Sequence, residues 1–326
     1  MKIGLTYDLR EDYRAEGYGE EDTAEFDRAD TIESIEAVLR RLGYRTDRIG
    51  HVKALVNRLA AGDRWDLVFN IAEGLHGIGR EAQVPAILDA YRIPYTFSDP
   101  MVLSLTLNKA MTKRVVRDLG IPTPDFTLIE EISDLDSVDL PFPLFVKPVA
   151  EGTGKGITAA SRVMDKNALF DVSRRLLQRF SQPVIVETFL PGREFTVGII
   201  GTGREAKAIG TMEIFFREQA EPEAYSYTNK KNYEELVTYR LAKDSLGSRA
   251  AEVAISAWRG LGCRDAGRID LRADAGGIPN FIEVNPLAGL NPDHSDLPIL
   301  CNMVGIRFHE LIASIMASAL KRIKAE

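Results

Sequence analysis

Two short segments near the C-terminal end place polar groups at strand spacing. In Arg268-Ile269-Asp270 the charged residues are i and i+2, and in Glu283-Val284-Asn285 the carboxylate and the amide are i and i+2. Read as strands, each turns its polar pair to one face. Asp274-Ala275-Gly276-Gly277 lies between them and reads as a hairpin turn. If the strands are neighbours, Asp270, Glu283 and Asn285 converge as hard oxygen ligands with Arg268 beside them. Such a set suits Mg²⁺, which binds a few carboxylates plus substrate phosphates. A solvent-facing strand face with cross-strand ion pairs would carry the same residues.

Lys147 ends the apolar run Pro143-Leu144-Phe145-Val146 and precedes Glu151-Gly152-Thr153-Gly154-Lys155-Gly156. A lysine so placed needs a partner. A phosphate under the loop's backbone N–H groups is one, and water at a sheet edge is another. The loop is neither a P-loop, because no Lys-Ser/Thr pair closes it, nor a dinucleotide fingerprint, because Ile157 continues into strand signals. Glu187 ends a second apolar strand, and Glu194 follows across Leu190-Pro191-Gly192; carboxylates at such a bend can hold ribose hydroxyls. Lys230 and Lys231 lie between Tyr227 and Tyr233 in a stretch without period. Such a loop can close a lysine over a terminal phosphate. Of the four histidines, only His76 stands in a glycine-flanked loop after a strand.

These residues need a scaffold, and the chain outlines one. Strand signals at 2–7 and 66–70 alternate with helical periodicity at 31–42 and 81–91, which predicts a parallel sheet with helices on its faces. Residues 8–28 are acidic and read as a surface loop. Further on, the predicted helices are 108–119, 165–180, 245–261 and 305–321, and the predicted strands are 142–147, 157–160, 183–187, 194–200, 267–272 and 280–284. The stretch 217–239 reads as a long loop, and Trp65 and Trp258 read as core. The 326 residues carry a formal net charge of -7 and only two cysteines, Cys263 and Cys301. That balance disfavours nucleic acid and anionic membrane surfaces as partners. Metal-thiolate and disulfide frameworks are excluded, and no run is long and apolar enough to span a bilayer. A cytoplasmic enzyme is expected. A homodimer is among the assemblies the sequence allows.

Taken in order, Asn108-Lys109, Val146-Lys147-Pro148 with the glycine loop, Glu187, Pro191-Gly192-Arg193-Glu194-Phe195-Thr196-Val197, Gly267-Arg268-Ile269-Asp270 and Ile282-Glu283-Val284-Asn285-Pro286 resemble the ATP-grasp superfamily. Within it they resemble the D-alanine–D-alanine ligases, most specifically from about Asn108 onward. The resemblance implies an α/β ATP-grasp fold of three parts: a parallel-sheet α/β domain at 1–105, a central α+β domain at 106–187 and a C-terminal α+β domain at 188–326. ATP would lie between the last two. It implies Lys109 and Lys147 on the phosphates, with Glu151, Thr153 and Gly154 in the loop above them. Glu187, Phe189 and Leu190 would lie by adenine and Glu194 on ribose. Asp270, Glu283 and Asn285 would hold Mg²⁺, or Mn²⁺ in its place. Arg268 and the Gly289 N–H would stand at the acyl centre with Lys230 or Lys231 as lid lysine, and His76 joins the catalytic candidates.

The reaction so implied is ATP-dependent ligation of a small carboxylate to a small amine through an acyl phosphate, releasing ADP and phosphate. A homologue that binds nucleotide without ligating, an ATP-grasp kinase and a true D-alanine–D-alanine ligase are the competing readings. Two segments depart from the ligases. Their glutamate-bearing glycine turn after the first strand is replaced by Thr6-Tyr7-Asp8-Leu9-Arg10-Glu11, and their final Ser-Leu pair by the loop Leu290–Leu297 with Asp293, His294 and Asp296. Larger or differently charged substrates are therefore expected. Arg10 would receive a carboxylate, and the acids near His294 a cationic nucleophile.

Overall fold

The computed structural model describes residues 1–217, 219 and 232–323. Three sheets follow one another along the chain. In the first, β1 (Lys2–Thr6), β2 (Arg45–Gly50) and β3 (Leu67–Asn70) run parallel in the order β2-β1-β3. The four residues of β3 are all buried, as a parallel strand covered on both faces must be. Helix 29–41 buries Ile32, Ile35 and Leu39 against β1 and β3, as its apolar spacing predicts. The second sheet takes β4 (Phe126–Ile129), β5 (Leu144–Pro148), β6 (Arg162–Val163) and β7 (Val184–Thr188) in the order β4-β7-β5-β6, all antiparallel. The third takes β8 (Glu194–Ile200), β9 (Lys207–Phe216), β10 (Val237–Leu241), β11 (Ala266–Ala273) and β12 (Pro279–Asn285) in the antiparallel order β10-β9-β8-β11-β12. Trp258 is fully buried beneath it, and a Cβ at Gly267 would stand 2.7 Å from the indole, so β11 needs glycine there.

Several expectations are corrected. Residues 8–28 are not a surface loop. They carry a helix at Arg10–Ala15, bury Asp8, Thr23 and Phe26, and close one side of a cavity. Ile157–Ala160 forms no strand; the pairing comes later, at β6. The stretch 217–239 includes helix 233–236 and the start of β10. Helices 52–60, 100–107 and 296–303 and strands β2, β4, β9 and β10 carry signals too short or too mixed for the periodicity reading. The final helix, Phe308–Ile323, begins three residues later than expected. It packs Leu311, Ile312, Ile315 and Met316 into the core of the first sheet. No single helix among the described residues is long and apolar enough to cross a membrane.

Candidate active site

The register of β11 and β12 sets Asp270 opposite Glu283 and Arg268 opposite Asn285. The two segments first singled out are therefore neighbours, and their polar side chains share one face. Asp270 accepts hydrogen bonds from Thr196 Oγ1 at 2.8 Å and from Asn285 Nδ2 at 3.2 Å, and pairs with Arg268. Arg268 also faces Asp296 at 3.7 Å. Burial alone would lower the guanidinium's pKa, but Asp270 and Asp296 reverse this and hold it far above its usual value. Among the described residues no three Asp, Glu, His or Cys converge on one point. The oxygen donors here are two carboxylates and the Asn285 amide. Like charges directly opposite across two strands repel. A hard divalent cation relieves that repulsion, so the donor set fits Mg²⁺.

Lys109 joins this face to the glycine loop. Asn108 caps helix 109–118 by accepting the Met111 N–H, which sets Lys109 in the first turn. Its Nζ donates to the Glu151 carbonyl at 2.6 Å and lies 3.3 Å from Glu283 Oε2. One turn on, Lys113 is fully buried, a position no sequence signal marked beyond its i+4 spacing from Lys109. It lies 3.0 Å from Glu187 Oε1, and Lys147 lies 3.0 Å from Oε2. Both Glu187 oxygens are thus committed to lysines, although the residue lines the smaller cavity. Burial, helped by the nearby Lys147, pushes Lys113 down to about 8 despite Glu187. The two ammonium groups overcome burial to hold Glu187 below the usual carboxylate range.

The smaller cavity, about 100 Å³, is walled by Phe145, Ile157, Phe189, Leu190, Ile214 and Leu271, with Lys147 and Glu194 at its polar rim. Arg272 approaches Glu194 at 3.4 Å from the facing strand and lies 5.0 Å from the Phe189 ring. Thr153 and Gly154 both adopt positive φ and make the glycine loop tight. The loop's N–H groups are not all free for an anion: Gly152 donates to Glu25 Oε1 at 2.6 Å, and a Cβ there would stand 2.6 Å from that oxygen. Lys155 pairs with Glu151 at 2.6 Å and Glu25 at 3.4 Å, and Arg80 with Glu25 at 3.1 Å. Glu25, absent from the sequence reading, therefore ties the residue 8–28 segment to the loop. Its only signal was the apolar bracket Ala24-Glu25-Phe26 within an acidic run.

The larger cavity, about 570 Å³, runs from Arg268, Glu283 and Gly289 to the residue 8–28 segment and the loop after β3. Gly289 faces Ser295, whose Oγ accepts the Asn291 N–H at 3.0 Å. His294 meets the Tyr233 hydroxyl at 3.2 Å. The expected substrate roles of the flanking groups change. Asp8 takes the Tyr13 hydroxyl and the Gly74 N–H and is buried, and Arg10 donates to the Ala24 and Phe26 carbonyls. Both hold the segment together. Asp296 pairs with Arg268, so the final loop is not an acidic surplus. Asp27, Glu73 and Glu81 line the same cavity, and burial raises the pKa of each despite Arg10 near Asp27 and Arg80 near the two glutamates. His76 is exposed beside Tyr18 and lines neither cavity. Lys230 and Lys231 lie outside the described residues.

Comparison with known proteins identifies relatives of this chain. Residues 115–317 match the family described as D-ala D-ala ligase C-terminus. A D-alanine–D-alanine ligase of Bordetella petrii is 33% identical over 275 residues, 83% of this chain and 80% of that protein. The uncharacterized protein y4sG of Sinorhizobium fredii is 31% identical over 78% of this chain and 75% of its own length. The crystal structure of the Bacillus anthracis D-alanine–D-alanine ligase complexed with ATP superposes with a TM-score of 0.74 at 22% identity. The match covers 100% of this chain and 99% of that one. The VanG D-Ala:D-Ser ligase of Enterococcus faecalis gives 0.73 at 20% identity, covering 98% and 99%. At these identities the superpositions establish the shared fold.

Proposed function

We propose that this chain, which belongs to the D-alanine–D-alanine ligase family and is an ATP-dependent amide-forming ligase, reacts at the face shared by Arg268, Asp270 and Glu283. The observation that carries the reading is Lys109, whose ammonium touches both the glycine-loop carbonyl of Glu151 and the carboxylate of Glu283. That one contact supports a phosphoryl group passing between the two cavities. The small-molecule carboxylate, seated by Arg268, attacks the γ-phosphorus of ATP. A carboxylate C–O–P bond forms as the bond to ADP breaks. Lys109 and Lys147 neutralise the transferring group, which is the chief protein contribution to such transfers, and Lys230 or Lys231 adds the lid charge. A neutral amine then attacks the acyl carbon. Arg268 and the Gly289 N–H hold the oxyanion, phosphate leaves, and the nitrogen loses its proton.

Asp270, Glu283 and Asn285 would hold Mg²⁺ or Mn²⁺, which supplies positive charge to phosphate oxygens when bound. Phe189 and Leu190 fit an adenine wall, Glu194 fits the ribose, and Thr153 and Gly154 belong to the phosphate loop. A division at 1–105, 106–187 and 188–326 is supported by one sheet falling mainly within each part. The cytoplasm is the proposed compartment. ADP release from Mg-ATP across pooled amino acids and amines, with product masses, tests the reading. An amide product formed one-to-one with ADP is expected, and nucleotide binding without turnover in every pool would overturn it.

A further inference from the structure

The strand that carries Asp270 also carries a cation with no part in the ligation chemistry above. Along β11 burial alternates from Gly267 to Ala273, with Arg268, Asp270 and Arg272 each half-buried between buried neighbours. Strand alternation turns all three to one face. Arg268 and Asp270 belong to the proposed acyl and metal ends of the site. Arg272 stands two residues past Asp270, about 7 Å farther along the strand and away from Arg268. It lies in the wall of the smaller cavity, at the proposed nucleoside end.

Three contacts fix its guanidinium there. The register with β8 sets Arg272 directly opposite Glu194, and Nη1 comes to 3.4 Å from Glu194 Oε2. Nε donates to the Gly192 carbonyl at 3.3 Å. The guanidinium carbon lies 5.0 Å from the centre of the Phe189 ring, within cation–π range. One side chain thus touches the adenine wall, the turn and the ribose carboxylate of the bend 189–194. The bend is also fastened to the end of β11. Gly192 donates to the Ala273 carbonyl at 2.9 Å, and a Cβ at Gly192 would stand 2.5 Å from that oxygen. A nucleoside is uncharged, so neither base nor sugar calls for a cation at this end. Glu194 does, because a sheltered carboxylate facing mainly apolar walls is costly without one.

We propose that Arg272 is a positioning residue of the nucleotide site: it holds the Glu194 carboxylate aimed at the ribose hydroxyls and braces Phe189 as the adenine wall. A carboxylate has about four lone-pair directions, enough to keep this pair and accept both hydroxyls. Fixing the carboxylate before the nucleotide arrives raises affinity, because less ordering is left to the binding step. Lysine substitutes only in part, since a point ammonium does not present the rigid fork that meets Gly192 and Glu194 together. A cross-strand pair that merely braced the sheet would leave ribose recognition untouched. The inference rests on the ligase reading, in which Glu194 meets the ribose, and deepens it.

The test is titration calorimetry of the full chain in Mg²⁺ with ADP and with 2′,3′-dideoxy-ADP, which lacks both hydroxyls. The parent should bind ADP roughly tenfold tighter than the dideoxy compound, as hydrogen bonds to a charged acceptor allow. Arg272→Met keeps an apolar stem beside Phe189 and removes the guanidinium. It should weaken ADP binding about tenfold and the dideoxy compound less than about threefold, so the preference shrinks to about threefold or less. Arg272→Lys, which keeps the charge, should fall between the two, and circular dichroism should show both variants folded. Equal losses for the two compounds, or a preference unchanged in both variants, overturn the proposal while the ligase reading stands. A parent that binds the two compounds equally overturns the ribose role of Glu194 and this inference with it. A parent that binds neither overturns the nucleotide site on which the ligase reading itself depends.

Discussion

Replacing Glu187 by glutamine should be among the most damaging single changes around the second sheet, and a second mutation should partly repair it. Glu187 is 3% exposed and lies 3.0 Å from each of two lysine ammonium groups, one of them, Lys113, without any exposed surface. Glu187→Gln removes the only anion among the described residues in direct contact with both and leaves them facing each other. Breaking a buried pair from one side costs about 3–5 kcal/mol. Lys113→Met alone costs less, because the Glu187–Lys147 pair survives and the methionine fills the lysine's space. What it loses are the bonds to Thr123 Oγ1 at 3.1 Å and to the Phe281 carbonyl at 3.3 Å. Combined, the two changes remove one stranded ammonium, so the double variant should regain roughly 1–2 kcal/mol over Glu187→Gln alone. Urea unfolding followed by fluorescence of the buried Trp258 measures all three variants. A Glu187→Gln cost below about 1 kcal/mol, or a double variant less stable than the single, would refute the reasoning.

Asp270→Asn and Glu283→Gln should each lower ADP formation roughly 100-fold, equivalent to about 2.7 kcal/mol, with circular dichroism unchanged; near-normal turnover in both removes them from the metal site. Asp27, Glu73 and Glu81 have pKa values raised above those of the unfolded chain, so the folded protein binds more protons between about pH 4 and 7. Their contribution to stability therefore falls as pH rises through that window, and the Glu73→Gln/Glu81→Gln variant should show a flatter melting-temperature profile than the parent. Parallel profiles would show that these acids are not the cause. Gly152→Ala should weaken ATP-analogue binding, because the new methyl meets Glu25 Oε1 at 2.6 Å; unchanged affinity would separate the Glu25 contact from the loop's function.

The polar faces of β11 and β12 were legible because strand alternation fixes which side chains share a face, and a short hairpin makes the two strands neighbours. Lys147 stood out as a cation ending an apolar strand beside a glycine loop, whereas Lys109 was marked only by the resemblance to the ligases. Lys113 did not stand out, since a lysine four residues after another on a basic helix looks solvated until β7 is placed over it. The acidic wall was misread for a similar reason. Asp27, Glu73 and Glu81 come from separate segments, and only the packing of the residue 8–28 segment beside the β3 loop brings them together. The departure from the ligases had pointed to Asp8, Arg10 and Glu11 there, whereas Asp8 is spent on Tyr13 and Gly74. Edge strands such as β4 and β10, half-buried and without clean alternation, were invisible for want of a period.

The central claim is that a substrate carboxylate oxygen attacks phosphorus before the amide forms. Carboxyl-¹⁸O-labelled amino acids incubated with Mg-ATP and the full chain test it directly through the mass of the released phosphate. Attack by the carboxylate transfers one labelled oxygen to each phosphate, in step with amide product and ADP. Unlabelled phosphate would mean that water takes the phosphoryl group, and would contradict the account.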